Sequence, residues 1–220
     1  MPEIIVKQSI RKDAWNWWSA CNKISYSVDW KQRIEKKLQN KLVGRTKERV
    51  FSFLIPYLRN LYKKENINQK KKELQNILKK QQNEILKRME KVIGKKIYRE
   101  NFTCFLTTFP RAPYDYHRGY VWIPIIWPKE TYIRIFVHEL LHFQTYAYWQ
   151  TMCLKKLTMQ EFEDLKEALT IVLNEEFMDL IIWPDKGYKI HENLRSKLLK
   201  FWKANKNFDE LIKYGVKEFE

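Results

Sequence analysis

Apolar positions along this chain recur in helical steps far more often than in alternation. From Asn68 to Ile93, Leu74, Ile77, Leu78, Ile85, Met89 and Val92 repeat at intervals of three and four, predicting one long amphipathic helix with a lysine-rich outer face. "RKDAWNWWSACNK" predicts a compact aromatic helix, and Asp29 is placed to cap "WKQRIEKKLQNKLVG", with Gly44 as its stop. "RTKERVFSFLIPYLRNLYKK" is helical in pattern, and its Pro56 should kink or divide it. Pro128 opens a further helix from about Lys129 to Cys153. Thr158 and Glu161 form a capping-box pattern ahead of "MQEFEDLKEALTIVLNEEFMDLII". "WPDKGY" breaks that helix, and a final amphipathic helix begins near Ile190.

Strand patterns are fewer. "EIIVK" reads as a short strand near the start. "NFTCFLTTFP" and "GYVWIPII" are β-branched and aromatic, and the turn-rich "RAPYDYHR" between them makes a β-hairpin or a pair of neighbouring strands. The pattern gives an α+β class, mainly helical, with a small sheet next to a helix pair. The character of the chain changes near residue 97, which divides it into a basic helical region, 1–97, whose first strand can join the sheet, and a second region, 98–220. A single compact domain is the alternative.

Composition narrows the class. With 45% apolar and 15% aromatic residues, 220 residues can bury a core, which excludes a disordered chain. The longest uncharged apolar stretch, "GYVWIPIIWP", is too short for a membrane-spanning helix, and the first residues carry charges where a secretory signal would be apolar. Cys21, Cys104 and Cys153 are odd in number and widely spaced, as for reduced thiols in a cytoplasmic protein. Charge is uneven. Residues 1–100 hold 26 lysines and arginines against 10 acids, whereas 101–220 hold 16 of each. That asymmetry suits either a face for nucleic acid or another acidic partner, or a solvated lysine surface.

"FVHELLHF" carries the chemistry. Residues four apart share a helix face, so His138 and His142 can offer two imidazoles to one metal. Glu139 projects about 100° away, where it can take a proton from an activated water. Catalytic zinc takes three protein ligands. Positions 145–148 read Thr-Tyr-Ala-Tyr, without a third histidine, and the following helix offers Glu167, Glu175 and Glu176.

With Glu167-Ala168 falling 25 residues after His142, the chain resembles the gluzincins, thermolysin-like zinc metallopeptidases, in a minimal single-domain form. The resemblance spans Pro128 to about Trp183. It implies zinc held by His138, His142 and Glu167, Glu139 as general base, and a peptide or protein substrate. Thr170 would stand behind the ligands. Asn174-Glu175 with Asp179 also resembles the thermolysin pattern and keeps Glu175 in contention. The family stabilises the oxyanion with a tyrosine or histidine; His191 is the first choice here, beside Tyr188, Tyr114, Tyr116 and His117. A strand at 119–126 would offer its edge to an extended peptide.

Overall fold

The long helical period is one helix in the computed structural model, which describes residues 2–21, 23–25 and 28–220. That helix, α4 (Ile67–Ile93), buries Leu74, Leu78, Ile85 and Met89 completely. Ahead of it come β1 (Glu3–Lys7), α1 (Ile10–Ala20), the paired β2 (Ile24–Ser25) and β3 (Val28–Asp29), α2 (Lys36–Leu42) and α3 (Lys47–Lys64). After it come β4 (Asn101–Thr107), β5 (Tyr114–Asp115), β6 (Tyr120–Pro124), α5 (Tyr132–Cys153) and α6 (Met159–Leu169). The chain ends with α7 (Leu173–Glu176), α8 (Glu192–Asn205) and α9 (Phe208–Lys217). The protein is mainly helical α+β.

The chain forms two compact units, both discontinuous in sequence. One comprises Met1–Glu3, Lys80–Asn101 and Glu130–Glu220; the other comprises Ile4–Lys79 and Phe102–Lys129. The basic residues before position 98 therefore contribute to both.

In the Ile4–Lys79/Phe102–Lys129 unit, Ala14 and Trp17 of α1, Leu38 and Leu42 of α2, and Val50, Leu54 and Leu58 of α3 form one buried cluster with Phe109. Pro56 does not divide α3. It and Ser52, whose carbonyl it cannot serve, are both exposed, so water can take the place of the missing donor. Asp29 caps only a 3₁₀ turn, Trp30–Arg33, and α2 starts afresh at Lys36. Gly44 adopts φ +69°, the left-handed turn that follows the end of α2.

The four-stranded sheet has the order β1-β4-β6-β5. β4 and β6 are neighbours but run parallel, from Thr103 opposite Tyr120 to Thr107 opposite Pro124, so they are not a hairpin. A parallel pair needs a crossover, and residues 108–119 supply one. Part of that crossover is β5, which pairs antiparallel with β6 through Tyr114–Val121 and Asp115–Tyr120. β6 consequently has partners on both sides at Tyr120–Trp122, so the edge expected at 119–126 is covered over those residues.

The C-terminal half departs from expectation in two places. The capping box at Thr158 and Glu161 is formed, but α6 ends at Leu169 and the chain continues as a 3₁₀ turn, Thr170–Val172, before α7. Beyond the "WPDKGY" break, the single expected helix is two. Lys206 turns left-handed at φ +50° and Asn207 caps α9 by accepting from Glu210 N.

Candidate metal centre

Two helices of the same unit build the centre. α5 is apolar nearly all round, and Phe136, Val137, Leu140, Leu141 and Phe143 are fully buried. Such a helix is fixed in rotation by its packing, so the side chains at 138, 139 and 142 have fixed directions. His138 and His142 stand one turn apart with ring centroids 4.3 Å from each other. α6 brings Glu167 to them: Oε1 lies 3.2 Å from His142 Nε2 and Oε2 lies 3.6 Å from His138 Nε2. Ligand atoms of all three residues lie within 4.8 Å of one another, so His138, His142 and Glu167 could hold a metal ion. Two imidazole nitrogens and one carboxylate oxygen are a donor set suited to zinc with a position left for substrate or water.

The rival carboxylates lie elsewhere. Glu175 is exposed and pairs with Lys203 at 3.0 Å. Glu176 accepts from Trp202 Nε1 at 2.8 Å and from Lys206 Nζ. Asp179 is engaged by Arg88.

Behind the ligands lies a network that only Thr170 foreshadowed. His138 Nδ1 is 2.7 Å from Asp185 Oδ2, which turns its Nε2 toward Glu167. Asp185 is itself held from three directions. Thr170 Oγ1 donates to its Oδ1 at 2.9 Å, Arg195 Nη2 donates to its carbonyl at 2.6 Å and to Oδ1 at 3.1 Å, and Asn174 brackets its backbone N–H and carbonyl. Arg195 Nη1 donates to Thr170 Oγ1 at 2.6 Å. Gly187 makes room for that guanidinium: a Cβ there would lie 2.6 Å from Arg195 Nη1. Thr170 Oγ1 also lies 2.8 Å from the Glu167 carbonyl, a second acceptor for its one proton at the end of regular α6.

Protonation follows from these neighbours. Burial disfavours charge on His138, yet Asp185 and Glu167 overcome it and hold its pKa well above the ordinary value, so a metal bound at its Nε2 would displace a proton. Burial, helped by the Lys166 ammonium, pushes His142 down to about 3, so its ring is neutral, as a metal ligand must be. Burial opposes ionisation of Glu167, but His142 and Lys166 hold its carboxyl well below the usual range. Lys166 is itself buried, with Nζ 3.1 Å from Glu167 Oε1 and 3.2 Å from Glu163 Oε2. Glu139 differs. Burial raises it to about 7, and its Oε2 has no hydrogen-bond partner among the described residues.

The structure does not bring His191 into this group. Its Nε2 is 3.1 Å from Asp164 Oδ1, Tyr188 meets its ring edge-on at 6.0 Å, and it lines a separate cavity of about 230 Å³ with Asp164, Leu194 and Phe219. Tyr114, Tyr116 and His117 belong to the other unit. Set beside known proteins, the chain matches no family model, no curated protein and no solved structure.

Proposed function

We propose that this protein is a zinc-dependent metallopeptidase acting on a peptide or protein substrate. The observation that carries the reading is the Glu139 carboxylate, buried on the same helix as His138 and His142 and adjacent in sequence to the first of them. Zinc held by His138, His142 and Glu167 would supply Lewis acidity to the scissile carbonyl and to the attacking water. Glu139 then takes a proton from that water and delivers it to the leaving amine. Its raised pKa suits both halves of the task, because a base poised near neutrality both accepts and returns a proton. Asp185 orients the His138 ring, and Lys166 keeps Glu167 ionised. The resemblance to the gluzincins supports the same chemistry. The three cysteines are buried and unbonded, which supports a place in the reducing cytoplasm. No helix of the described residues is long and apolar enough to cross a membrane.

Glu139→Gln tests the reading, because it removes the base and no ligand. Assayed with zinc on a quenched fluorescent peptide library, the variant should lose at least about a hundredfold in hydrolysis while its zinc content is unchanged. Loss of zinc from the variant would place Glu139 among the ligands. A zinc-loaded wild type that cleaves nothing would overturn the peptidase assignment.

A further inference from the structure

Nearly all of the +16 formal charge falls in one structural unit. The Ile4–Lys79/Phe102–Lys129 unit holds 22 lysines and arginines against seven aspartates and glutamates; the other holds 20 against 19. A lysine-rich composition would raise the basic count of both units. It does not remove acids from one, and that depletion is what leaves a field for a polyanion.

Charge is dense at residues 33–49, where seven lysines and arginines, all exposed, face only Glu35 and Glu48. Glu35 is already engaged by Lys37 at 2.8 Å. Aromatic rings interleave with these cations. Lys47 Nζ lies 5.4 Å from the Trp18 ring and 5.6 Å from Phe51, and Lys41 Nζ lies 5.0 Å from Phe53. Phe53 stacks on Tyr57, one turn along α3, with centroids 5.8 Å apart and planes 17° from parallel. Each ring packs its inner side on the core yet stays partly exposed. Ammonium groups neutralise phosphates, and part-exposed rings offer surfaces to unpaired bases. A duplex hides its base faces, and an acidic protein has none.

We propose that this unit binds single-stranded nucleic acid, with phosphates on the cations of residues 33–49 and bases against Phe51, Phe53 and Tyr57. The inference is independent of the metal centre, and its test reads binding alone. Fluorescence anisotropy of the full chain would compare a labelled single strand of about 16 nucleotides, the same sequence as a duplex, and phosphatidylserine vesicles. The single strand should bind tightest, with affinity falling as salt rises by a logarithmic slope of about 0.7 per neutralised phosphate. Lys41→Gln with Lys47→Gln, both on exposed side chains, should lower that slope by about 1.4. Phe53→Leu should weaken the single strand about tenfold and leave the slope unchanged. Absence of binding at low salt, tighter binding of duplex or vesicles, or a lysine double variant with the wild-type slope would each overturn the proposal.

Discussion

The two units each bury a carboxylate network, and the networks are built from opposite materials. Asp13 in α1 is fully buried and accepts from Thr107 Oγ1 at 2.6 Å, Thr108 N at 3.0 Å and Thr108 Oγ1 at 2.8 Å, with the Tyr62 hydroxyl beside it. These donors are all neutral. Asn16 and Trp17 extend the network to Thr107 and Thr108, tying α1 to the end of β4. Glu167 and Asp185, by contrast, are surrounded by the cationic groups of His138, Lys166 and Arg195, with the neutral His142 ring beside Glu167. The result is a divergence in acidity. Burial lifts Asp13 to about 6, whereas the cations draw Glu167 and Asp185 below the usual carboxylate range in spite of their own burial. Neutral donors make a carboxylate into a fastener. Cations keep it an anion, which is the form a metal ligand and its support require.

The largest effect that would sharpen this contrast is in the pH dependence of stability. Asp13 has a folded-state pKa above its unfolded one, so the native state retains its proton while the unfolded chain has lost it. Its contribution is therefore complete below about pH 4, falls as pH rises to about 6, and is flat above. A difference of that size between the folded and unfolded chain corresponds to about 3 kcal/mol. In denaturant titrations across that window, Asp13→Asn should gain stability relative to wild type by a comparable amount as pH rises. A pH-independent difference between the two proteins would contradict the role given to neutral donors.

Next in size, Asp185→Asn should cost roughly tenfold in zinc affinity, because Asn cannot hold the His138 ring with the same charge. Unchanged affinity would make Asp185 a fastener like Asp13 and erase the distinction between the networks. Glu175→Ala should be nearly silent. Its pair with Lys203 is solvent-exposed, and such pairs contribute about 0–1 kcal/mol. A loss of metal in that variant would move the third ligand into the thermolysin-like register.

Sequence reading reached α5 and its histidines because the spacing rule is local: His138 and His142 must share a face of any helix that contains both. It reached Glu167 through the resemblance, where Ala168 follows the carboxylate. Asp185, Arg195 and Gly187 were not legible. Asp185 and Gly187 lie on an irregular turn with no period to betray a face, Arg195 reads as one more polar position of a helix, and Asp185 meets His138 across 47 residues of chain. Lys166 reads as one more surface lysine until burial reveals it at 1% exposure. The parallel order of β4 and β6 was hidden for a related reason, since apolar runs specify strands but not their direction. Charge asymmetry was visible along the chain. Its assignment to one unit was not, because α4 runs through both units and β4 begins in one and continues in the other.

Whether Glu167 completes a metal site with His138 and His142 is tested most directly by isothermal titration of zinc into metal-free protein. Wild type, Glu167→Ala and Glu175→Ala would be run side by side, with helical content checked by circular dichroism. One zinc per chain is expected in wild type and in Glu175→Ala. In Glu167→Ala, affinity should fall by about tenfold or more, with helical content retained. Wild-type affinity in Glu167→Ala, or no zinc bound by the wild type, would contradict a site completed by Glu167.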